Sequence, residues 1–267
     1  MTTVDAARYW QEPEAEEREL ARPAVREALL PIAEQIVALP RARSWSASRA
    51  TEQWVIDWRD EDDSAPITRT TPGRLQQWGR AVREDEARAA RERPSDPTAN
   101  FSGEWWSSPF GAAHSVSRVP EALDLIEDSL GWESATLIPV RGVGRTYEIR
   151  TPEDWTRLCR EHPLEVTASR RHDWFRVTGR NGAWVIPDWE DVAGLWDAVH
   201  LTVAGYLSAA TRELPVDAER SSMIAGWNPG TTYWLTDSLR EWEGPRRRWR
   251  RNRESYSWVL DGTADAG

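Results

Sequence analysis

Tryptophan supplies most of the bulky apolar side chains of this chain, and this constrains its core more than any other feature. The 267 residues include 18 tryptophans but only three phenylalanines and two methionines. Indoles must therefore do much of the packing, and each buried indole N–H needs a hydrogen-bond acceptor. Because the tryptophans are spread along the chain, we expect roughly ten or more of them to be packing residues and the rest to be available for binding.

Length and composition predict a folded, cytoplasmic protein that carries polar or helical appendages. The hydrophobic fraction is 39% and the charged fraction 29%, which argues against disorder throughout the chain. No apolar run approaches the roughly 18 residues that cross a bilayer, and no hydrophobic signal core follows Met1. The single cysteine, Cys159, fits a reducing compartment and excludes a structural zinc site built from several thiolates.

The absence of lysine excludes several large classes of enzyme. All 34 basic residues are arginine. Without lysine the chain can have no Schiff-base nucleophile, no pyridoxal-phosphate anchor, no Walker A phosphate loop and no kinase-type ion pair. The remaining candidates are enzymes that work without lysine and proteins that only bind.

The net charge of −10 disfavours general binding to nucleic acid, because phosphate contacts need a concentrated positive surface. One segment is an exception, with six arginines around Trp249. These are Arg246, Arg247, Arg248, Arg250, Arg251 and Arg253. A segment that combines arginines with an aromatic residue can bind phosphate or a stacked base. The alternative, which we favour here, is a basic C-terminal arm that lies on the chain's own acidic surface or is solvated.

Amino-acid composition and hydrophobic pattern divide the chain into four segments that we expect to form one structural domain overall. Residues 1–50 are an N-terminal helical segment, in which Leu29, Leu30, Ile32, Ile36 and Val37 face one side of a helix. Residues 51–100 hold a predicted strand at Gln53–Trp58, a solvated helix at Gly73–Arg93 and a linker. Residues 101–237 form the main core, and residues 238–267 form the arginine- and tryptophan-rich arm.

Residues 101–237 mix strand and helix patterns, which predicts an α+β fold with a mixed, mainly antiparallel sheet. We predict strands near Glu104–Ser107, Ala135–Val140, Thr146–Ile149, Trp174–Thr178, Trp184–Ile186, Ala198–Val203, Met223–Gly226 and Tyr233–Leu235. We predict helices at Pro120–Leu130, Pro152–Glu161 and Trp189–Trp196. The segment Arg180-Asn181-Gly182 predicts a hairpin turn between two of these strands, because Asn-Gly tolerates positive φ angles.

One group of residues resembles a known enzyme family. The segment Gly103–Ser108 (GEWWSS) resembles the strand that supports the nicotinamide pocket in ADP-ribosyltransferase-like enzymes. Those enzymes also use an Arg or His on an earlier strand and an acid, often in Glu-X-Glu, on a later one. The resemblance implies an NAD-dependent enzyme in which Arg59, Ser107 and either Glu241 or Glu243 share one site. The alternative is that both glutamates are helix-surface carboxylates beside arginines.

Other catalytic centres have little support in the sequence. The four histidines lack the spacing of a helical metal site, so we expect no metal. His172 and His200 are the better candidates for a site, although a buried histidine more often serves as a hydrogen-bonded core residue. No Gly-X-Ser-X-Gly elbow is present.

Two hypotheses of function follow from these observations. The first is a non-enzymatic binding or interaction protein, of an accessory or toxin-neutralising type, that binds another protein or a planar small ligand. Its candidate binding residues are Trp105, Trp106, Trp227, Tyr233 and Trp234. The second is the ADP-ribosyltransferase-like enzyme, with NAD as its cosubstrate. We expect no membrane association under either hypothesis.

Overall fold

The computed structural model describes residues 4, 7–59, 63, 66–127 and 131–262. The α+β class with mixed, mainly antiparallel sheets is confirmed. The described helices are α1 (Ala15–Leu20), α2 (Pro23–Ala38), α3 (Pro72–Glu92), α4 (Pro152–Glu161), α5 (Thr167–Thr178), α6 (Trp189–Val192) and α7 (Val203–Ala209). Two short 3₁₀ turns, Ala42–Ser44 and Glu121–Asp124, lie between them.

The described strands belong to two sheets. They are β1 (Glu52–Asp57), β2 (His114–Val116), β3 (Ser134–Gly142), β4 (Thr146–Ile149), β5 (Pro163–Glu165), β6 (Ala183–Pro187), β7 (Ala198–Leu201), β8 (Leu214–Pro215), β9 (Arg220–Ser222), β10 (Thr231–Trp234), β11 (Leu239–Glu241), β12 (Arg247–Arg251) and β13 (Trp258–Leu260). The larger sheet has the order β13-β12-β3-β1-β2-β10-β7-β4, with β11 also paired to β3. The smaller sheet has the order β5-β6-β9-β8.

The register of the larger sheet places an aromatic and basic group on one of its faces. Trp54 of β1 pairs with Pro139 of β3, and two residues on, Ile56 pairs with Leu137. On the other side of β3, Arg247 of β12 also pairs with Leu137. Because paired residues point to the same face and alternate along each strand, Trp54, Arg247 and Trp249 share one face.

The core between the larger sheet, α4, α6 and α7 contains a group of three fully buried indoles, here called the closed cluster. Its members are Trp155, Trp189 and Trp227, with ring centroids 5.6–6.1 Å apart. Each indole N–H has an acceptor: Ser222 Oγ for Trp155, the Ser107 carbonyl for Trp189 and the Thr231 carbonyl for Trp227. The expectation that indoles do much of the packing holds here.

Several predicted elements agree with the structure. The strand predicted at Gln53–Trp58 is β1, and the helix predicted at Gly73–Arg93 is α3. The helix at Pro152–Glu161 is α4, where Thr151 and Asp154 form the capping box that its sequence favours. The helix predicted at Trp189–Trp196 is shortened to one turn, α6.

The segment predicted as a strand at Trp174–Thr178 is instead the last part of helix α5. The start of α5 has no capping side chain of its own. Glu86 of α3 supplies the cap, since its carboxylate accepts hydrogen bonds from the amides of Ala168 (2.7 Å) and Ser169 (2.8 Å). A cap contributed from α3 leaves no local signal in the sequence.

Four smaller predictions in the core also differ from the structure. The hairpin at residues 180–182 is absent because Gly179, with a φ of 72°, ends helix α5 just before it. Residues 104–107 and 223–226 lie outside the described strands, although Ser107 and Ala225 hydrogen-bond to each other. Of the helix predicted at Pro120–Leu130, residues 121–124 form a 3₁₀ turn, and residues 128–130 lie outside the described residues.

The segment predicted as a basic C-terminal arm is part of the larger sheet. β11 and β12 both pair with β3, and β13 continues from β12. The sheet therefore extends beyond residues 101–237 in both directions along the chain, since β1 lies at its centre. Because side chains alternate along a strand, Arg247, Trp249 and Arg251 of β12 lie on one face of the sheet, and Arg248 and Arg250 lie on the other.

Candidate functional site

A cleft of about 580 Å³ lies on the described part of the chain. Its walls come from three places: the residues after α2 (Arg41, Trp45), the segment 117–125 and the exposed face of β1 and β12. We call it the tryptophan–arginine cleft. Its lining is Arg41, Trp45, Trp54, Ser117, Arg118, Val119, Pro120, Glu121, Asp124, Leu125, Leu137, Arg247 and Trp249.

Three half-buried indoles line the cleft, in contrast to the fully buried closed cluster. Trp54 and Trp249 stand on the sheet, and Trp45 lies on the opposite wall. The Trp45 N–H donates to Glu121 Oε1 at 3.3 Å. The buried N–H of Trp249 has no hydrogen-bond partner among the described residues, which leaves a donor unsatisfied at the wall of the cleft.

Three arginines line the same cleft. Arg118 is paired with Glu121 at 2.8 Å. The guanidinium of Arg247 lies over the ring of Trp54, 4.9 Å from its centroid, in a cation–π contact. Arg41 and Arg247 are exposed and form no ion pair with any residue that the structure describes. Two of the three guanidiniums are therefore available to an incoming anion.

Two carboxylates complete the charge balance of the cleft. Glu121 is shared between Arg118 and the Trp45 N–H. Burial raises the pKa of Asp124, and the positive charges of Arg251 and Arg41 partly oppose that shift. With three arginines against two carboxylates, the lining is positive on a chain whose net charge is −10. A concave site with this balance attracts anions.

A second, smaller cavity of about 210 Å³ adjoins the cleft and shares Trp45, Ser117, Arg118, Glu121 and Leu125 with it. Its other lining residues are mostly small or apolar, and the exception is His200. The two cavities together give a charged outer space and an apolar inner one, an arrangement typical of sites for ligands with an apolar ring and a charged group.

His200, one of the predicted site residues, is a buried and hydrogen-bonded histidine. Its Nδ1 lies 2.9 Å from Thr232 Oγ1, which also accepts a hydrogen bond from Gln53 Nε2 at 3.0 Å. Gln53 in turn donates to Ser117 Oγ, also at 3.0 Å. Burial lowers the pKa of His200 to about 4, so the ring is neutral near pH 7. It supports the inner cavity as a fixed polar residue.

The residues predicted to bind a ligand or partner lie mostly in the core. Trp227 and Trp234 are fully buried, and Tyr233 packs edge-on against Trp227, with centroids 4.8 Å apart. Trp105 and Trp106 are half-buried. The ring of Trp105 stacks on Tyr9 at 5.4 Å, so the N-terminal segment covers one of its faces. None of these five residues lines the cleft.

The residues of the ADP-ribosyltransferase-like alternative are divided between surface and core. Arg59 bonds to Asp57 at the exit of β1, and Glu241, on β11 rather than a helix, pairs with Arg246 at 2.9 Å. Arg246 also acts electrostatically on Arg59, so these groups share one charged surface. Ser107 is fully buried.

The hydroxyl of Ser107 accepts from the Ala225 amide at 2.9 Å and donates to the Ala225 carbonyl at 3.2 Å. In this position it joins two segments of the core. Glu243 is exposed in the turn after β11. These placements give the enzyme alternative no added support, and the roles assigned to Arg59, Ser107, Glu241 and Glu243 stay predictions.

His172, the remaining candidate, is buried in α5 with its ring 5.4 Å from that of Phe101. Burial and the nearby Arg171 and Arg176 lower the pKa of His172, which keeps the ring neutral near pH 7. It lines none of the cavities described above. Within the described ranges, no three His, Cys, Asp or Glu side chains are grouped so that they could hold a metal ion.

The six arginines of the basic segment also divide by face. Arg246, Arg250 and Arg253 pair with Glu241, Asp261 and Glu133 at 2.9–3.0 Å. Arg248 bonds to Thr136 and Ser134 of β3. Arg247 faces the cleft instead. The period-2 alternation of Arg247, Trp249 and Arg251 was the sequence signal that could have revealed this face, once residues 247–251 are read as a strand.

Comparison of the chain with protein-family models, with curated proteins and with solved structures finds no match. No helix in the described part of the chain is long and apolar enough to span a bilayer.

Proposed function

We propose that this chain is a binding protein whose ligand is a planar aromatic anion, of which a nucleotide is the simplest example. The tryptophan–arginine cleft is the proposed site. The observation that carries the proposal is the convergence of three half-buried indoles and three arginines on one concave surface of a chain with a net charge of −10. We further propose a cytoplasmic setting, which the single buried and unpaired Cys159 supports.

The size and shape of the site support a small ligand. The cleft holds about 580 Å³, and small-molecule sites commonly span roughly 300–1,000 Å³. The adjoining cavity of about 210 Å³ offers space for a ring, while the charged outer part offers space for a phosphate or carboxylate.

The chemistry of the lining supports both halves of such a ligand. Stacking of a base on an aromatic side chain contributes about 1–3 kcal/mol, and the indoles of Trp45, Trp54 and Trp249 provide suitable faces. The planar guanidinium of arginine matches the oxygens of phosphate or carboxylate in a two-pronged geometry. Arg247, which forms no ion pair with a described residue, and Arg41, whose charge acts on Asp124 without forming an ion pair with it, are the groups that would meet the anion.

The state of the polar side chains favours binding over catalysis. Glu121 already accepts from Arg118 and Trp45. Ser117 Oγ accepts from both the Ala50 amide and Gln53, and His200 is held neutral by burial. A nucleophile needs an adjacent base that can take its proton, and the lining of the cleft offers Ser117 no such partner.

A titration with matched arginine variants tests the proposal. We expect AMP, ADP and NAD to bind the wild-type protein in isothermal titration calorimetry, and uncharged adenosine to bind at least about tenfold more weakly. Arg247→Ala should weaken nucleotide binding by about tenfold or more. Arg250→Ala, on the opposite face of the same strand and paired with Asp261, should leave affinity unchanged.

Three results would count against this proposal. They are no binding of any of these nucleotides at millimolar concentration, equal losses in the two arginine variants, and tighter binding of a single-stranded oligonucleotide with equal use of Arg250. Release of nicotinamide from NAD by the wild-type protein would instead favour the ADP-ribosyltransferase-like alternative.

A further inference from the structure

A chain of hydrogen bonds runs through the larger sheet and ends at Ser117, on the wall of the cleft. It begins at the indole N–H of Trp234, which donates to Ser115 Oγ at 2.8 Å. Ser115 Oγ in turn donates to Gln53 Oε1, also at 2.8 Å. The amide nitrogen of Gln53 then donates to both Thr232 Oγ1 and Ser117 Oγ, at 3.0 Å each. Ser117 lines both the cleft and the smaller, inner cavity.

The direction of these bonds is fixed at both ends of the chain. An indole N–H can only donate, which sets the end at Trp234. At the other end, Thr232 Oγ1 lies 2.9 Å from His200 Nδ1. Burial lowers the pKa of His200, and a hydrogen bond to the Ala47 backbone opposes that shift. Because Nδ1 faces Thr232, the nitrogen that donates to the Ala47 carbonyl is Nε2.

This tautomer of His200 determines how the Gln53 amide is oriented. A neutral imidazole that donates from Nε2 accepts at Nδ1, so the Thr232 hydroxyl donates to His200. Thr232 Oγ1 is then an acceptor for Gln53, which directs the amide –NH₂ group of Gln53 toward Thr232 and Ser117. The opposite orientation of this amide would present Thr232, which has one hydroxyl hydrogen, with two acceptors.

Both lone pairs of Ser117 Oγ are consequently occupied. Gln53 Nε2 donates to it at 3.0 Å and the Ala50 amide at 3.2 Å. A hydroxyl has one hydrogen and two acceptor lone pairs, so the hydrogen lies on the remaining side, away from Ala50 and Gln53. Among the residues that the structure describes, none accepts a hydrogen bond from it. Ser117 therefore offers one donor where the cleft and the inner cavity meet.

The other two hydroxyl groups of the lining differ from that of Ser117. Ser44 Oγ already donates to the Arg41 carbonyl at 2.6 Å. Ser48 is exposed, and its Oγ accepts from Arg150. Ser117 is half-buried, so a ligand that fills the inner cavity would separate its hydroxyl from solvent. A donor left unpaired in that way costs free energy, which makes Ser117 the hydroxyl that can discriminate between ligands.

We propose that Ser117 selects ligands whose ring carries a hydrogen-bond acceptor, an unsubstituted ring nitrogen or a carbonyl oxygen, where the two cavities meet. This inference rests on the proposed function, because it places the ring in the inner cavity and the anion beside the arginines of the cleft. It narrows the class of ligand from planar aromatic anions to heteroaromatic anions. A carbocyclic ring in the same position would leave the Ser117 hydroxyl unpaired.

Analogues of AMP that lack one ring nitrogen test the proposal without any change to the protein. In 1-deaza-AMP, 3-deaza-AMP and 7-deaza-AMP a C–H group replaces one acceptor nitrogen of the base. We expect one of these analogues to bind the wild-type protein about threefold to tenfold more weakly than AMP in isothermal titration calorimetry, as the loss of one hydrogen bond predicts. The other two should bind within about twofold of AMP.

Variants of Ser117 assign this preference to its hydroxyl. Ser117→Ala should weaken binding of AMP by the same factor and should bind AMP and the sensitive analogue equally well. Ser117→Thr retains a hydroxyl and should retain the preference. Ser44→Ala is the matched control, because Ser44 also lines the inner cavity but its hydroxyl is bonded to Arg41; the preference should be unchanged. Far-UV circular dichroism checks that each variant is folded.

Three results would overturn the inference. Equal binding of AMP and all three analogues by the wild-type protein would show that the ring accepts no hydrogen bond; if Arg247→Ala still weakens binding of AMP, the proposed function stands alone. A preference that persists in Ser117→Ala would assign the donor to another group. No binding of AMP to the wild-type protein would remove the proposed function and this inference together.

Discussion

The closed cluster and the tryptophan–arginine cleft each bring together three indoles, but in opposite surroundings. In the closed cluster, Trp155, Trp189 and Trp227 are fully buried and each N–H has an acceptor. In the cleft the indoles are half-buried, and the N–H of Trp249 has no described partner. The comparison shows that the neighbours of an indole, more than the indole itself, indicate whether it packs a core or forms a binding surface.

The acceptors explain the difference. In the closed cluster they are a serine hydroxyl and two backbone carbonyls, all neutral groups that satisfy one N–H and leave no charge uncompensated. Around the cleft the neighbours are guanidiniums and carboxylates, which need water or a ligand to complete their hydrogen bonds. In the cleft, these charged neighbours surround indoles that are half-buried.

The largest expected effect comes from truncation in the closed cluster. Trp227→Ala removes a fully buried ring that contacts Trp155, Trp189 and Tyr233, so the free energy of unfolding should fall by about 3–5 kcal/mol. Trp54→Ala, in the cleft, should cost about 1–2 kcal/mol. Urea unfolding followed by far-UV circular dichroism measures both. Equal losses would remove the distinction between the two groups.

A substitution in strand β3 of the larger sheet tests how tightly the buried indoles are packed. A methyl group added at Gly142 of β3 would overlap the ring of the fully buried Trp234. Gly142→Ala should therefore reduce the free energy of unfolding by about 1–3 kcal/mol, the usual cost of overpacking. Gly73 near the start of α3 has open space around it, so Gly73→Ala is the control and should be neutral or slightly stabilising. A neutral Gly142→Ala would show that Trp234 can move aside.

Local patterns allowed parts of this structure to be predicted. The alternating residues of β1 and the capping residues at Thr151 and Asp154 are local signals, and they identified β1 and α4. Helix α5 was missed because Glu86 of α3 supplies its N-terminal cap. A residue some 80 positions away in the chain leaves no signal in the local sequence.

The cleft could not be predicted for the same reason. Its walls come from residues 41–45, 54, 117–125, 137 and 247–249, and no local pattern in any of these segments shows that they converge. The sequence drew attention to adjacent aromatic pairs such as Trp105–Trp106, whereas the cleft brings together single tryptophans from distant segments. The number of tryptophans was informative, but their spacing along the chain did not show which would be half-buried.

The next expected effect is on the affinity of the cleft for a nucleotide. Trp54→Ala should weaken binding of AMP by about tenfold to a hundredfold if the base stacks on this ring. The matched variant is Trp58→Ala. Trp58 directly follows β1 but does not line the cleft, so this variant should leave the affinity unchanged. Fluorescence titration with the nucleotide measures both, and equal losses would indicate a general loosening of the sheet.

A pH-dependent effect concerns a carboxylate at the margin of the closed cluster. Glu127 Oε1 accepts hydrogen bonds from Tyr9 and Tyr206, each at 2.6 Å, and Oε2 accepts from the Trp227 amide at 3.0 Å. All of these donors are neutral, whereas Glu121 in the cleft faces a guanidinium. Burial without a cation raises the pKa of Glu127 from 4.5 to about 7, although the hydrogen bonds oppose the shift.

The direction of the pH effect follows from this raised pKa. Between about pH 4.5 and pH 7 the folded protein retains a proton on Glu127 that the unfolded chain has lost. Stability from this group therefore decreases as the pH rises through that window, by at most about 1.4 kcal/mol per pH unit, and changes no further above it. Unfolding measured in urea from pH 4.5 to 8 should show this fall in the wild-type protein. Glu127→Gln cannot titrate and should show a smaller fall over the same range; an identical dependence in both proteins would mean that another group carries it.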